Sequence, residues 1–376
     1  MLSPLNLDAE IVPTRQVTDT YLYRAQSTRD NLGTVNVLVS IIVPTHNNEA
    51  TIRRTLDSIS AQSLTSIEIV IVNDASTDNT LPLCRAAQQT DTRITLVDLK
   101  ENVSVFQSRR IGVEQATGKY VMFCDGDDQL EPDAAERASV LARAGGYDIV
   151  HFGTTIVGAS GNRHHAWERA LDPFAAELNG DDIFLASPFA QAGRQINGHI
   201  WNKLYERELV RAAWKSIDPD LRLTRAEDVY QTLLLLCNAA RYGGLFLPLY
   251  RYNFGKGRAG NISTLESFDY FLESACAYDA MATHLDSDQR ATPAGFDTDV
   301  LLRRLRDQFI ENQLSYWVRL EPPADDALKK LLRLWGPEAV LEALDGTNLR
   351  QNDRLYRAIH RLSSHSEETV KDESPM

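Results

Sequence analysis

At 376 residues, 43% of them hydrophobic, the chain can bury a substantial core and is expected to fold as more than one unit. Its net charge of −13 argues against wrapping nucleic acid and gives no overall attraction to anionic lipid, while leaving room for nucleotides escorted by a metal ion. Cys84, Cys124, Cys237 and Cys276 lie far apart without a C-x-x-C pair, and the histidines show no metal-ligand spacing, so a reducing compartment is the simpler reading. No run approaches the roughly 18 apolar residues of a membrane span, and the start lacks a basic-then-apolar signal pattern. These features predict a soluble, cytoplasmic protein, either free or resting on the inner face of a membrane.

Residues 1–36 show no sustained period and read as an irregular leader. Val37 to Val43 is a β-branched strand stopped by Pro44. Asn47 or Asn48 then caps a helix over about 49–62, with Ile52, Leu56 and Ile59 at helical spacing. A second strand, Ile67–Val72, ends at Asn73-Asp74, and Ser76, Thr77 or Asp78 caps the next helix. Ile94–Val97 is a third strand, followed by a helix over about 104–116.

The fourth strand, Tyr120–Cys124, is apolar enough to be buried on both faces, yet it runs into Asp125-Gly126-Asp127-Asp128. Three carboxylates gathered there repel one another unless a cation or a set of donors answers them, and Gly126 keeps the loop tight enough for a ligand to approach. A helix over about 132–144 and a strand over 148–152 follow.

Strands alternating with helices at this spacing imply a parallel sheet with right-handed crossovers. Ligands bind outside the carboxyl ends of such strands. Pro44-Thr45, Asp74 and Asp125–Asp127 all lie at strand ends, so three strands deliver polar groups to one rim. Neither G-x-G-x-x-G nor G-x-x-x-x-G-K-[ST] follows the first strand, so a nucleotide diphosphate would be neutralised by a metal on Asp125 and Asp127. Oxygen-only ligands suit Mg²⁺ or Mn²⁺.

Three stretches in this order, Val39 to Asn47, Ile71 to Thr80 and Phe123 to Asp128, resemble the signatures of family 2 glycosyltransferases with the GT-A fold, over about residues 37–155. The resemblance implies an α/β, Rossmann-like, mostly parallel sheet flanked by helices. It implies donor binding by Pro44, Thr45, His46, Glu49, Asp74, Arg109, Asp125, Gly126 and Asp127. Asp74 would read a uracil base, and Asp125 and Asp127 would handle ribose and a metal-bound diphosphate. The chain departs from the family at Ala75 and Ser104, where the family often has Gly, and around Arg109, whose neighbours Ser108 and Arg110 replace Ala and Asn.

Ile200–Tyr205 resembles the W-N-K-L-Y element of capsule- and lipopolysaccharide-type members and is expected to begin a helix. Glu227-Asp228 opens a leucine-rich helix. Acids in a first turn are favoured by the helix dipole alone, by about 0.3–1 kcal/mol each. The resemblance instead assigns them to catalysis, with Asp228 as the base. Asp128, Trp201, Lys203, Tyr250 and Arg251 are expected on the acceptor side. Leu247–Tyr252 and Gly260–Ser263 resemble the family's closing strand and following loop.

From about 265 the chain reads as helical. Leu302, Leu305, Phe309, Tyr316 and Leu320 form a buried stripe, Glu321-Pro322-Pro323 a break, and Leu328, Leu331, Leu332 and Trp335 another amphipathic helix. Arg303, Arg304 and Arg306 read as a solvated helix face, with contact to a membrane surface as the alternative.

The expected organisation is a leader (1–36), a GT-A domain (37–264, divided into a nucleotide-sugar half 37–155 and an acceptor half 156–264), a helical C-terminal region (265–362) and a disordered tail (363–376). The expected function is metal-dependent, inverting transfer from a nucleotide-diphosphate sugar, a UDP-sugar foremost, to a glycan, glycolipid or protein-linked hydroxyl in surface polysaccharide synthesis. The competing readings are a sugar nucleotidyltransferase, disfavoured by the missing basic Gly-rich loop, and a degenerate domain that binds sugars or partners without turnover.

Overall fold

The structure is a computed structural model, which describes residues 37–370 apart from 188–189, 191–194, 256–263, 288–291, 294–295, 321–323, 346–348 and 350–351. The expected leader, the loop at Gly260–Ser263, the break at Glu321–Pro323 and the last six residues of the expected tail lie outside the described residues.

The β-branched runs form the strands they predict. β1 (Val39–Thr45), β2 (Ile67–Asn73), β3 (Ile94–Asp98) and β4 (Tyr120–Phe123) are parallel in the order β3-β2-β1-β4. Alternation sends Ile42, Val70, Val72, Val121 and Phe123 to one face and Ile41, Val43, Ile69, Ile71 and Met122 to the other, so two cores sandwich the sheet. Helices α1 (Ile52–Ser60), α2 (Thr80–Thr90), α3 (Ser104–Gln115) and α4 (Ala134–Gly145) make the crossovers. A Cβ at Gly112 of α3 would meet Ile42 Cγ2 at 2.4 Å, so this helix lies as close to β1 as glycine permits.

Pro44 does not stop β1; the strand continues through Thr45. Cys124 N–H donates to Ile42 O, so even-numbered groups of β1 face β4, whose ladder ends at Phe123. The missing N–H of Pro44 therefore falls beyond that ladder.

The second half enters the same sheet. After the two-residue β5 (Gln129–Leu130), β6 (Ile149–Val157) runs past its expected end. Its antiparallel neighbour β8 (Lys203–Glu206) lies between β4 and β6. The helix expected from Ile200 is thus a strand, and α7 (Arg207–Trp214) begins only after it. The reason is burial: Lys203, Leu204 and Tyr205 are all buried in the middle of a sheet, where strand pairing satisfies their backbone. β9 (Arg241–Asn253) pairs in parallel with β6 and antiparallel with β5 and β7 (Glu177–Asn179). Between these strands lie α5 (His165–Leu171), α6 (Asp181–Leu185) and α8 (Glu227–Asn238).

The C-terminal helices are α9 (Leu265–Leu272), α10 (Ser274–Ser287), α11 (Thr298–Trp317), α12 (Asp325–Trp335), α13 (Pro337–Asp345) and α14 (Asp353–Val370). α14 continues beyond residue 362, through part of the expected tail. α11 joins two cores: Leu301, Leu305 and Phe309 belong with the sheet, while Ile310, Leu314 and Trp317 belong with a separate helical cluster. Arg306 pairs with Asp307 and Glu342, both at 2.8 Å, and Arg304 donates to Ala190 O, so two of the three clustered arginines are held by the protein itself. Among the described residues no helix is long and apolar enough to cross a membrane.

Candidate active site

The loops after β1 and β2 are laced by side chains. In Asp74-x-Ser76-x-Asp78-x-Thr80, Ser76 Oγ accepts from Asn47 N–H at 3.1 Å, Asp78 Oδ2 from Glu49 N–H at 3.1 Å and Thr80 Oγ1 from Asn48 N–H at 2.7 Å. Asn47 Oδ1 answers by accepting from Thr77 N–H, and Glu49 Oε2 from Asn79 N–H. Asn48 Oδ1 accepts from Thr45 Oγ1 and His46 N–H, so neither asparagine caps as expected: α1 starts after Thr51 without a side-chain cap. α2 starts after Asn79, also without one, although Asp78 Oδ1 accepts from Thr80 N–H.

Asp74 is buried; one oxygen accepts from Val103 N–H at 2.7 Å, and the Asp74 carbonyl meets His46 Nδ1 at 2.6 Å. Burial raises its pKa against the opposing pull of that N–H and of His46.

The three acids after β4 have three different fates. Asp125 Oδ1 accepts from Arg109 Nη2 at 3.0 Å. Asp128 is buried; its oxygens accept from Tyr250 O–H and Asn253 N–H, both at 2.8 Å. Asp127 has no such answer. Burial and the nearby Asp125 push its pKa up to about 6, with Arg54 offsetting part of the shift. Gly126 is packed rather than open. A Cβ there would meet Thr45 Oγ1 at 2.8 Å and Asn48 Oδ1 at 2.9 Å, and its carbonyl accepts from Thr51 and Thr55. The space expected for a ligand at Gly126 is taken by the end of β1.

Arg109, on α3 and fully buried, is the hub. Besides Asp125 it reaches Glu227 Oε1 and Gln231 Oε1 on α8, each at 3.3 Å from Nη1. Burial first, then Asp228, raises the pKa of Glu227 to about 7, with Arg109 opposing. Asp228 is held differently. Burial works against its ionisation, but the hydrogen bond and charge of His199 and the charge of Arg109 leave its pKa below the usual carboxylate value. His199 Nδ1 lies 3.0 Å from Asp228 Oδ2, and Asp228 Oδ1 accepts from Val229 N–H at 2.8 Å.

Strain gathers at this rim. Among the described residues, the non-glycine residues with positive φ are Asn47 (53°), Ala75 (50°), Ser104 (77°) and Ala226 (58°). Asn47 and Ala75 adjoin His46 and Asp74, Ser104 follows the residue whose N–H serves Asp74, and Ala226 sets the first turn that carries Glu227 and Asp228.

Of the expected acceptor-side residues, only Arg251 is exposed. Asp128 and Tyr250 form an internal brace in which Tyr250 Oη also accepts from Asp125 N–H at 3.2 Å. Trp201 is buried against Tyr250 and Tyr252, with ring centroids at 4.6 and 5.4 Å. Lys203 is buried and spends its ammonium on Asn197 O, Asn197 Oδ1, His199 O and Asn202 Oδ1. All four are buried, and Lys203 and Trp201 support the loop that bears His199.

The architecture and the sequence agree with known proteins. Residues 40–163 match the family model described as "Glycosyl transferase family 2". Residues 40–163, about a third of the chain, are thus similar to family 2 glycosyltransferases. The uncharacterized glycosyltransferase EpsJ of Bacillus subtilis (strain 168) is 32% identical over 219 residues, which are 57% of this chain and 60% of EpsJ. Among solved structures, S. aureus TarS 1–349 in complex with UDP superposes with a TM-score of 0.52 at 20% identity, over 90% of this chain and 92% of that one. The mannosyltransferase PcManGT of Pyrobaculum calidifontis, in complex with GDP-Man and Mn²⁺, superposes at 0.51 and 17%, over 89% and 95%. The fold is GT-A, with a helical C-terminal region.

Sequence reasoning missed His199. A lone histidine carries no motif, and its partner Asp228 lies 29 residues away. It also missed that Arg109 joins the acids after β4 to those on α8.

Proposed function

We propose that the chain transfers a sugar from a nucleoside-diphosphate sugar, a UDP-sugar foremost, to a hydroxyl of a glycan, glycolipid or protein-linked acceptor, with inversion, in the synthesis of a surface polysaccharide. The observation that carries this reading is the single guanidinium of Arg109 between Asp125 and Glu227. It sets the acids at the donor rim beside the acid pair that opens α8. Asp74 is suited to accept from the N–H groups of a nucleobase, and the laced loop of Thr45, His46 and Glu49 forms the wall beside it.

The donor set fits a hard divalent cation, Mn²⁺ or Mg²⁺. Asp127 is a buried carboxylate that Arg54 answers only in part, Asp125 has one oxygen free of Arg109, and among the described residues no cluster of three or more ligating side chains forms a self-sufficient cage. Such an ion takes one or two carboxylates and completes its shell with substrate phosphates and water. PcManGT, with Mn²⁺ and GDP-Man bound, supports the same reading here. When bound, the ion neutralises charge that grows on the leaving diphosphate.

The protein's own groups do the rest. Asp125 and Arg109 fix the rim, the buried Asp128–Tyr250 pair keeps the loop after β4 rigid, and the acceptor hydroxyl loses its proton at the Asp228 end of the acid pair. Screening UDP- and GDP-sugars for Mn²⁺-dependent thermal stabilisation and for nucleotide release tests the assignment. A protein neither stabilised by nor able to turn over any of them is not a glycosyltransferase.

A further inference from the structure

Asp228 is not the outermost group on the acceptor side. Its side chain is 19% exposed, against 42% for His199, and each of its oxygens already accepts a hydrogen bond. His199, not Asp228, lines a cleft of about 470 Å³ between the sheet domain and α11. Arg169, Gln195, Gln308, Asn312 and Phe309 are among the residues that line that cleft, a mixture of polar and aromatic side chains suited to a polyhydroxylated ligand. The imidazole is held in place on three sides. Its Nδ1 meets Asp228, its ring stacks on Trp201 at 4.9 Å, and its backbone is fixed through Asn197 and the buried ammonium of Lys203. No described residue pairs with Nε2.

On the transfer reading given above, we propose that His199 is a catalytic residue and that Nε2 takes the proton of an acceptor hydroxyl bound in the α11 cleft. Asp228 orients the ring through Nδ1–H and balances the imidazolium. This is the same division of labour as in other acid–imidazole pairs, where the acid fixes the tautomer and does not itself take the proton. The step balances. The acceptor oxygen forms its bond to the anomeric carbon as the bond from that carbon to the diphosphate oxygen breaks. The diphosphate leaves with the electron pair, and the proton passes from oxygen to Nε2 and then to water.

The test uses the full chain and follows UDP release from a panel of UDP-sugars, with water or free monosaccharides as acceptors. His199→Gln keeps a donor toward Asp228 but cannot take a proton at neutral pH; His199→Ala leaves a space that imidazole can fill. Both are expected to lose 10²–10⁴-fold in kcat, the range for a general base, while UDP affinity and melting temperature stay near those of the wild type. Added imidazole should restore His199→Ala at least tenfold and leave Asp228→Asn unchanged. A His199→Gln enzyme within tenfold of wild type, or a His199→Ala enzyme indifferent to imidazole, overturns the assignment to His199 and returns the proton to Asp228. Absence of turnover by the wild type across the panel overturns the transferase reading itself, and this one with it.

Discussion

Replacing Arg109 with Met removes one guanidinium and strands three acceptors, on Asp125, Glu227 and Gln231. Breaking a buried ion pair from one side costs about 3–5 kcal/mol, because the remaining charge has nowhere to go. Here part of that cost has an outlet. The pKa of Glu227 already stands at about 7, above its unfolded value of 4.5, and Arg109 is what restrains it. In the wild type this raised group makes stability fall as pH rises from 4.5 toward 7, since the unfolded chain gives up the proton first. Without Arg109 the folded pKa climbs further, and the decline continues above pH 7. Urea unfolding of Arg109→Met should therefore show a larger loss at pH 8 than at pH 6. Glu227→Gln in the same background should recover at least about 1 kcal/mol of it, as expected for groups in contact. A loss below about 1 kcal/mol at pH 8, or single and double variants that add within about 0.3 kcal/mol, would show that Arg109 does not link the two acids energetically.

Three further outcomes are expected. Asp127→Ala should weaken UDP binding in Mn²⁺ far more than in EDTA, and equal weakening in both, measured by calorimetry, removes the metal from Asp127. Asp74→Ala should raise the donor KM roughly tenfold to a hundredfold, the worth of a charge-assisted hydrogen bond at about 1.5–3 kcal/mol, and should loosen selectivity for uridine; unchanged UDP affinity leaves Asp74 a turn residue only. Ser104→Gly should stabilise the protein by up to about 1 kcal/mol: it relieves a left-handed residue worth about 1–2 kcal/mol and removes a buried, unpaired hydroxyl, against the entropy of glycine. A lower melting temperature in Ser104→Gly would count against strain at that position.

The fold was legible where one residue type decides the outcome. β-branched runs such as Val39–Val43 and Ile67–Val72 admit little but buried strands, and the acids that follow Ile67–Val72 and Tyr120–Cys124 had no role in a sheet interior. The signature after β2 was legible as a pattern, but its use was not: Ser76, Asp78 and Thr80 serve a loop about 30 residues away. Ile200–Tyr205 misled because lysine is almost never fully buried unless paired. Lys203 is, and the four oxygens that make this tolerable come from a fold-dependent loop and not from any periodicity. The acceptor side suffered most for the same reason. Trp201, Tyr250 and Asp128 carry chemistry in their side chains, but packing turns it inward.

The placement of β8 also governs how the polypeptide can be made and divided. β4 is complete at residue 123 and β6 at 157, but the strand that joins them is not synthesised until residue 206. A nascent chain halted after 157 therefore holds two sheet edges that cannot meet, with Met122 and Val150 awaiting Leu204 on either side. A fragment ending at residue 155 would leave bare the edge of β4 that β8 covers in the whole chain. Screens that swap or truncate acceptor halves at residue 155 cut through the middle of a continuous sheet. Chimeras with junctions after Asn253, where β9 has closed the last ladder, keep every strand of it.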